Sequence, residues 1–279
     1  MPIIQSLREL EEFKKSHFHL RPWGLVPTMG ALHEGHISLI EKAAQENQIT
    51  WISIFVNPTQ FNNPKDLENY PHTLSTDLEA IQKIAPEACV FVPNVRLMYP
   101  EKIQVGTFDF SGLDKVMEGV YRPGHFQGVA TVVERLFELV VPDRAYFGEK
   151  DFQQLKIVEK IAENMKIDIQ ACPIVRETNG LAMSSRNQRL SDDQKKQAAV
   201  IYDILNEVKT RFGKTPTEEL YEIAEHALAP LSDFKLEYFE IANEHTLEKI
   251  LNYDPSLQYR AFISVWVGEV RLIDNMLLN

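Results

Sequence analysis

Trp23-Gly24-Leu25-Val26-Pro27-Thr28-Met29-Gly30-Ala31-Leu32-His33-Glu34-Gly35-His36 is the stretch on which the fold turns. It opens with a short apolar run, Trp23–Val26, and leads into an amphipathic helical pattern over Ile37–Gln45. A strand, a glycine-containing turn and a helix in that order bring backbone N–H groups and the positive end of a helix dipole to one point. His33 and His36 stand three residues apart, on nearly the same side of the first helical turn. Gly35 lets a ligand come close to the backbone where a Cβ would obstruct it. Imidazole donors at such a point suit phosphate oxygens and the extra charge of a pentacoordinate phosphorus. The bland alternative is a surface turn that happens to hold two histidines. The preceding strand and the Pro-Thr-Met-Gly lead favour the phosphate reading, and zinc is poorer because no third His or Cys has suitable spacing nearby.

Working outward, the same alternation recurs. Candidate strands are Trp23–Val26, Ile49–Val56, Cys89–Val92, Ala145–Phe147 and Ile167–Val175, mostly apolar on both alternating faces, as parallel strands covered on two sides require. Between them fall helical patterns at Ile37–Gln45, Leu74–Ile84, Val129–Val140 and Phe152–Met165. The reading is a doubly wound α/β domain with a mostly parallel, Rossmann-like sheet and right-handed crossovers. After Val175 the texture changes. Ser191-Asp192-Asp193-Gln194 reads as a helix start for a pattern running to about Phe212, and a second helix is expected over Thr217–Ala227. Lys235–Ile241, Ala261–Val267 and Glu269–Ile273 read as strands, with Gly268 a bulge or tight turn. The expected division is a nucleotide- and substrate-binding domain over 1–176 and a smaller α+β C-terminal domain over 177–279.

The chain has 279 residues, 44% hydrophobic and 25% charged, enough for a substantial core. A formal charge of −11 argues against a broad footprint for nucleic acid or an anionic membrane, while leaving room for a small basic pocket. Cys89 and Cys172 each sit in an apolar run and are expected to be buried thiols. With no leader-like N-terminus and no run of membrane-spanning length, the expectation is a cytoplasmic protein.

Four further polar motifs stand out: two follow candidate strands, one borders the second domain and one precedes a helix, and ligands in such sheets sit at the carboxyl ends of strands. Asn57-Pro58-Thr59-Gln60 ends a strand abruptly and offers Asn57 and Gln60 as amides for a small substrate bearing hydroxyls and a carboxylate; a solvated turn is the alternative. Gly148-Glu149-Lys150-Asp151 repeats the strand, glycine, helix-start arrangement. Lys150 there suits triphosphate oxygens, Asp151 suits Mg²⁺ or a ribose, and Gln154 suits a substrate, although Asp151 is also a good first-turn residue on structural grounds. Met183-Ser184-Ser185-Arg186 puts two hydroxyls and a guanidinium in a loop suited to β- and γ-phosphates. Arg122-Pro123-Gly124-His125-Phe126-Gln127 fixes a turn that either presents Arg122, His125 or Gln127 to a cleft or is purely structural.

Taken together, PTMGALHEGH (27–36), FVNPTQF (55–61), RPGHFQGVATVV (122–133), YFGEKDFQQL (146–155) and GLAMSSRNQRLS (180–191) resemble the pantothenate synthetases, the AMP-forming pantoate–β-alanine ligases. The resemblance runs to RLIDN (271–275), and PTMGALHEGH and the Met183-Ser184-Ser185-Arg186 stretch are versions of the HIGH and KMSKS signatures of the nucleotidyltransferase superfamily. It implies condensation of (R)-pantoate with β-alanine through a pantoyl adenylate, with ATP as substrate, Mg²⁺ beside the triphosphate, and a homodimer. It implies an ATP site lined by Met29, Gly30, Ala31, Leu32, His33, Glu34, Gly35 and His36, by Gly148, Glu149, Lys150 and Asp151, by Val175, and by Met183, Ser184, Ser185 and Arg186. His36 would be the proton donor, with His33, Lys150 and Arg186 completing the catalytic set and Asp151 the candidate metal ligand. Gln60 and Gln154 would hold pantoate, with Gln60 also near β-alanine and Asn57 close by. Two positions depart from the family pattern: His72 stands where Arg is common, and Asn179 where Asp precedes the turn glycine. The first removes a permanent charge; the second suits the same turn. The rival readings are an adenylyltransferase that keeps the nucleotidyl group on its product, and a nucleotide-binding sensor without turnover.

Overall fold

The apolar runs of the N-terminal half become the strands of one parallel sheet, seen in a computed structural model that describes residues 1–61 and 67–279. They are β1 (Ile3–Ile4), β2 (Trp23–Thr28), β3 (Ile49–Ile54), β4 (Cys89–Phe91), β5 (Arg144–Gly148) and β6 (Asp168–Cys172), in the spatial order β1-β4-β3-β2-β5-β6. From β2 the chain steps outward through β3 to β4, then returns to lay β5 on the other side of β2. Strand order therefore reverses between β2 and β5, and the carboxyl ends on either side of such a reversal form the crevice where doubly wound sheets bind ligands.

The crossovers are α1 (Leu7–His17), α2 (Glu34–Glu46), α3 (Leu74–Ile84), α4 (His125–Val140) and α5 (Phe152–Met165). Alternate strand residues face opposite sides. On one side Val26, Ile52, Ile54 and Val90 pack with Leu39, Ile40 and Ala43 of α2 and Ile81 of α3. On the other, Trp23 and Trp51 are fully buried with rings 5.9 Å apart, and Phe13 of α1 meets Trp51 edge-on at 5.0 Å. Both faces of the central strands are covered, which is why β2, β3 and β4 read as mostly apolar, whereas β6 at the edge is polar and exposed in part. Cys89 and Cys172 are buried free thiols, and burial pushes the Cys89 thiol up to about 12, so it stays protonated.

Several boundaries differ from expectation, each for a local reason. Helix α2 starts at Glu34 rather than Ile37, because His33 itself caps it. Helix α4 starts at His125 rather than Val129, behind Gly124 in the left-handed conformation. Strand β6 ends at Cys172 rather than Val175, since Pro173 has no N–H to continue a ladder. Strand β1 and helix α1, the latter opened by a capping box between Ser6 and Glu9, were not anticipated.

The chain forms two compact units, Met1–Glu149 with Gln154–Pro173, and Lys150–Gln153 with Ile174–Asn279. The second holds a three-stranded antiparallel sheet, β7 (Phe234–Asn243), β8 (Tyr259–Val267) and β9 (Val270–Leu277), in that order. Ser191 and Gln194 form the expected capping box, but the helix they open stops at Gln197 and a separate α6 covers Val200–Arg211. Helix α7 spans Thr217–Leu228, and Ile201, Ile204, Leu220 and Ala224 pack on Ile241, Ile263 and Val265. Strand β9 runs past the expected Ile273 to Leu277. Its extension carries Asp274 and Asn275, polar residues that no apolar pattern would place inside a buried strand.

Candidate functional site

The turn after β2 is held open by one buried carboxylate. Asp77 on α3 is 3% exposed and accepts from Ala31 N–H (3.0 Å), Leu32 N–H (2.9 Å) and the Thr73 hydroxyl (3.0 Å). Thr73 Oγ1 accepts a second bond from Ala31 N–H at 3.1 Å. These bonds keep Ala31 at φ 51°, a left-handed conformation a non-glycine residue adopts only when its surroundings impose it. Gly30 precedes it at φ 79°, and a Cβ there would lie 2.9 Å from Asp77 Oδ2, so only glycine lets the carboxylate approach.

The turn delivers His33 and His36 to the start of α2 in a defined state. His33 Nδ1 accepts from Gly35 N–H at 3.1 Å, and His36 Nδ1 faces His33 N–H at 3.4 Å, a histidine version of the capping box. A ring nitrogen that accepts carries no hydrogen, so each neutral imidazole bears its hydrogen on Nε2. The rings lie 4.1 Å apart between centroids. Glu34, exposed in the first turn, complements the helix dipole.

The turn after β3 is braced rather than exposed. Asn57 is 1% exposed and both ends of its amide are engaged: Oδ1 accepts from Tyr99 OH (2.6 Å) and Thr59 OH (3.0 Å), while Nδ2 donates to Gly128 O (3.2 Å) and Gln60 Oε1 (3.3 Å). Burial pushes the Tyr99 phenol up, keeping it the donor in that pair. Gln60 Nε2 reaches Met29 Sδ at 2.8 Å, which joins this turn to the one after β2.

The motif that sequence left open resolves here. Gln127 pairs with the Phe108 backbone in both directions (2.8 and 2.9 Å). Arg122 and His125 instead hold the Gln60 carbonyl, from Nη2 at 3.2 Å and from Nδ1 at 2.8 Å. Because His125 Nδ1 donates to that carbonyl, its Nε2 is the acceptor for Arg122 Nη1 at 2.9 Å. Gly128 completes the contact, since a Cβ there would sit 2.2 Å from Thr59 O.

Gly148 ends β5 with open space where a Cβ would project, and a 3₁₀ turn over Glu149–Asp151 follows. In the second unit Lys150 Nζ lies 3.6 Å from Asp151 Oδ2, with the Asp151 side chain 48% exposed. Val175 and Met183 are brought together as Val175 O accepts from Met183 N–H at 3.0 Å, closing a hairpin around Asn179-Gly180. Asn179 Oδ1 accepts from Leu181 N–H at 3.2 Å, so the departure at this position preserves the turn. Ser184 caps the short turn Ser185–Arg189 by accepting from Arg186 N–H at 3.3 Å. Gln154 is half-buried on α5, and His72 is exposed. Asp77, Thr73 and Asn275 were not anticipated, because nothing local distinguishes a first-turn Asp or a strand Asn that clamps a distant turn.

Known proteins share this fold and its motifs. Residues 2–277 match the family described as pantoate-beta-alanine ligase. The pantothenate synthetase of Christiangramia forsetii is 47% identical over 279 residues, covering 99% of this chain and 96% of that protein. That of Bacteroides thetaiotaomicron is 44% identical over 279 residues, covering 99% and 98%. Among solved structures, pantothenate synthetase from Thermus thermophilus superimposes with TM-score 0.88 at 38% identity, covering 99% of each chain. The pantoate-beta-alanine ligase of Francisella tularensis, determined in complex with beta-gamma ATP and beta-alanine, superimposes with TM-score 0.82 at 34% identity, covering 99% of this chain and 97% of that one.

Proposed function

The chain belongs to the pantoate-beta-alanine ligase family, and we propose from that premise how its residues condense (R)-pantoate with β-alanine at the expense of ATP. The pantoate carboxylate attacks the α-phosphorus and pyrophosphate leaves; the amine of β-alanine then attacks the acyl carbon of pantoyl adenylate and AMP leaves. The substrate carboxylate is itself the nucleophile, so positioning and charge stabilisation carry the rate.

One observation supports the roles above all. The two histidines share a capping arrangement that leaves Nε2–H as the donor of each ring, at the N-terminus of α2 beside the β2/β5 reversal. In this reading His33 and His36 donate to phosphate oxygens, with His36 nearest the charge that develops on the α-phosphate, and Met29–Leu32 together with Glu34 and Gly35 line the nucleotide. Gln60, and Gln154 with it, hold pantoate; Asn57 acts through Gln60. Gly148, Glu149, Lys150, Val175, Met183, Ser184, Ser185 and Arg186 serve the nucleotide, Lys150 and Arg186 by neutralising the departing pyrophosphate. Among the described residues no cluster of three or more His, Cys, Asp or Glu is placed to hold a metal ion. A single half-exposed carboxylate suits Mg²⁺ held chiefly by the triphosphate; Asp151 would be its protein ligand, and the ion would offset phosphate charge. The same reading carries a homodimer and a cytoplasmic location, to be tested by light scattering and by fractionation.

The deciding experiment is an assay with ATP, pantoate and β-alanine, each omitted in turn. AMP released only when all three are present is the expected result. A stable adenylylated product that accumulates whether or not β-alanine is added would instead identify an adenylyltransferase, and ATP binding without turnover would identify a sensor.

A further inference from the structure

RLIDN, at the end of the resemblance, has no part in the reaction as described, yet it lies where Lys150 is held. Within the second unit the Lys150 carbonyl accepts from Asn275 Nδ2 at 2.9 Å, and Asn275 Oδ1 accepts from Arg260 Nη1 at 2.6 Å. Arg260 can only donate and a carbonyl can only accept, so the orientation of the Asn275 amide is determined by its partners. Asn275 is 2% exposed and Arg260 5%. Arg260 is further held by Glu244 at 2.7 Å and lies with its guanidinium carbon 3.9 Å from the Phe152 ring centroid.

The preceding residue does the same for a second segment. Asp274 pairs with both terminal nitrogens of Arg176, and burial pushes its carboxyl up against the pull of that guanidinium. Arg176 in turn donates to Gly180 O at 3.0 Å and stacks 4.4 Å from the Tyr202 ring, fixing the hairpin that leads into Ser184-Ser185-Arg186. Successive strand residues point to opposite faces. Of these two neighbours on β9, Asn275 holds the Lys150 main chain, and Asp274, through Arg176, holds the Gly180 carbonyl of the hairpin that precedes Ser184.

We propose that Asn275 is a positioning residue for adenylation, acting through Lys150 by holding its main chain in one place. The inference rests on the reading of Lys150 given above. A turn whose carbonyl is fixed by a buried side chain presents its ammonium from a smaller set of positions, and that precision is worth rate rather than ground-state affinity. Asp274 and Arg176 hold the hairpin that precedes Arg186 in the same unit, so Lys150 and Arg186 belong to one compact unit.

Asn275→Asp tests this. It retains an oxygen for Arg260 and replaces the donor at the Lys150 carbonyl with a second acceptor. Single-turnover formation of pantoyl adenylate should fall about 10- to 100-fold, with the Michaelis constant for pantoate near wild type and the melting temperature lowered by the lost bond. Lys150→Ala should be slower still, and adding Asn275→Asp to it should cost nothing more. If Lys150→Ala is slow and Asn275→Asp adenylates at the wild-type rate, or if the two effects multiply, the positioning role is wrong while the reading of Lys150 stands. If Lys150→Ala itself adenylates normally, the reading of Lys150 is wrong. Should Asn275→Asp fail to fold, Asn275→Ala takes its place in the same comparison, with the same outcomes.

Discussion

Two turns of this protein look alike in sequence and are held in opposite ways. Pro27–His36 follows β2 and Gly148–Asp151 follows β5; each leaves a parallel strand, passes a glycine and enters a helix. The first is closed from within its own layer, by a carboxylate on α3 that lies 46 residues from the backbone it binds and by two rings that cap their own helix. The second passes from one unit to the other at Lys150, whose carbonyl is held by an amide 125 residues further on in the second unit's own sheet. One clamp comes from the next crossover of the same sheet, the other from the last strand of the second unit.

The comparison can be broken at its strongest point first. His36→Ala should lower single-turnover adenylation by about 10²–10³-fold, the effect of removing one donor to a developing charge. Circular dichroism should show the fold intact, because β2 and α2 keep their packing. Unchanged adenylation would remove His36 from the reaction and leave its ring as a cap only.

Asp77→Asn comes next. An amide offers one acceptor where the carboxylate offers two, and turns an N–H donor toward Leu32 N–H or Thr73. Bonds to a charged group contribute about 1.5–3 kcal/mol each, so a lower melting temperature is expected. The more telling result is kinetic: the Michaelis constant for ATP should rise about tenfold while that for pantoate changes little. If heat stability falls and the ATP constant does not move, the first turn holds itself and Asp77 is only structural.

Gln60→Ala is expected to have the smallest effect on catalysis. It should raise the Michaelis constant for pantoate more than that for ATP, by the loss of one or two neutral hydrogen bonds, about 0.5–1.5 kcal/mol each. Equal effects on both substrates would undo the assignment of this turn to pantoate.

Legibility followed distance along the chain. The His33–His36 turn was readable because strand, turn and helix lie within one short stretch, and the doubly wound parallel sheet followed from the alternation of apolar runs, while the β2/β5 reversal came only with the strand order. Cys89 and Cys172 were readable as buried thiols from their apolar neighbours. Asn57 was expected beside the substrate; its amide is engaged by Tyr99, Thr59, Gly128 and Gln60, partners that no spacing discloses. The Arg122–Gln127 motif was ambiguous for the same reason: whether it faces a ligand or a carbonyl depends on where Gln60 lies. Pro173 is a legible stop for β6, masked in the sequence by the apolar residues on either side of it.

By itself the sequence determined the layer architecture and the chemistry on offer: which strands are buried on both faces, where a helix dipole and two imidazoles meet, and which family shares those motifs. Those properties arise from periodicity and from groups within a few residues of each other. Tertiary structure alone decided which groups are held and by what. Asp77 on Ala31 and Asn275 on Lys150 are side chain–backbone bonds between distant segments. A backbone carbonyl or N–H carries no residue-specific signature, so its partner becomes known only when the chain has folded to bring the two together.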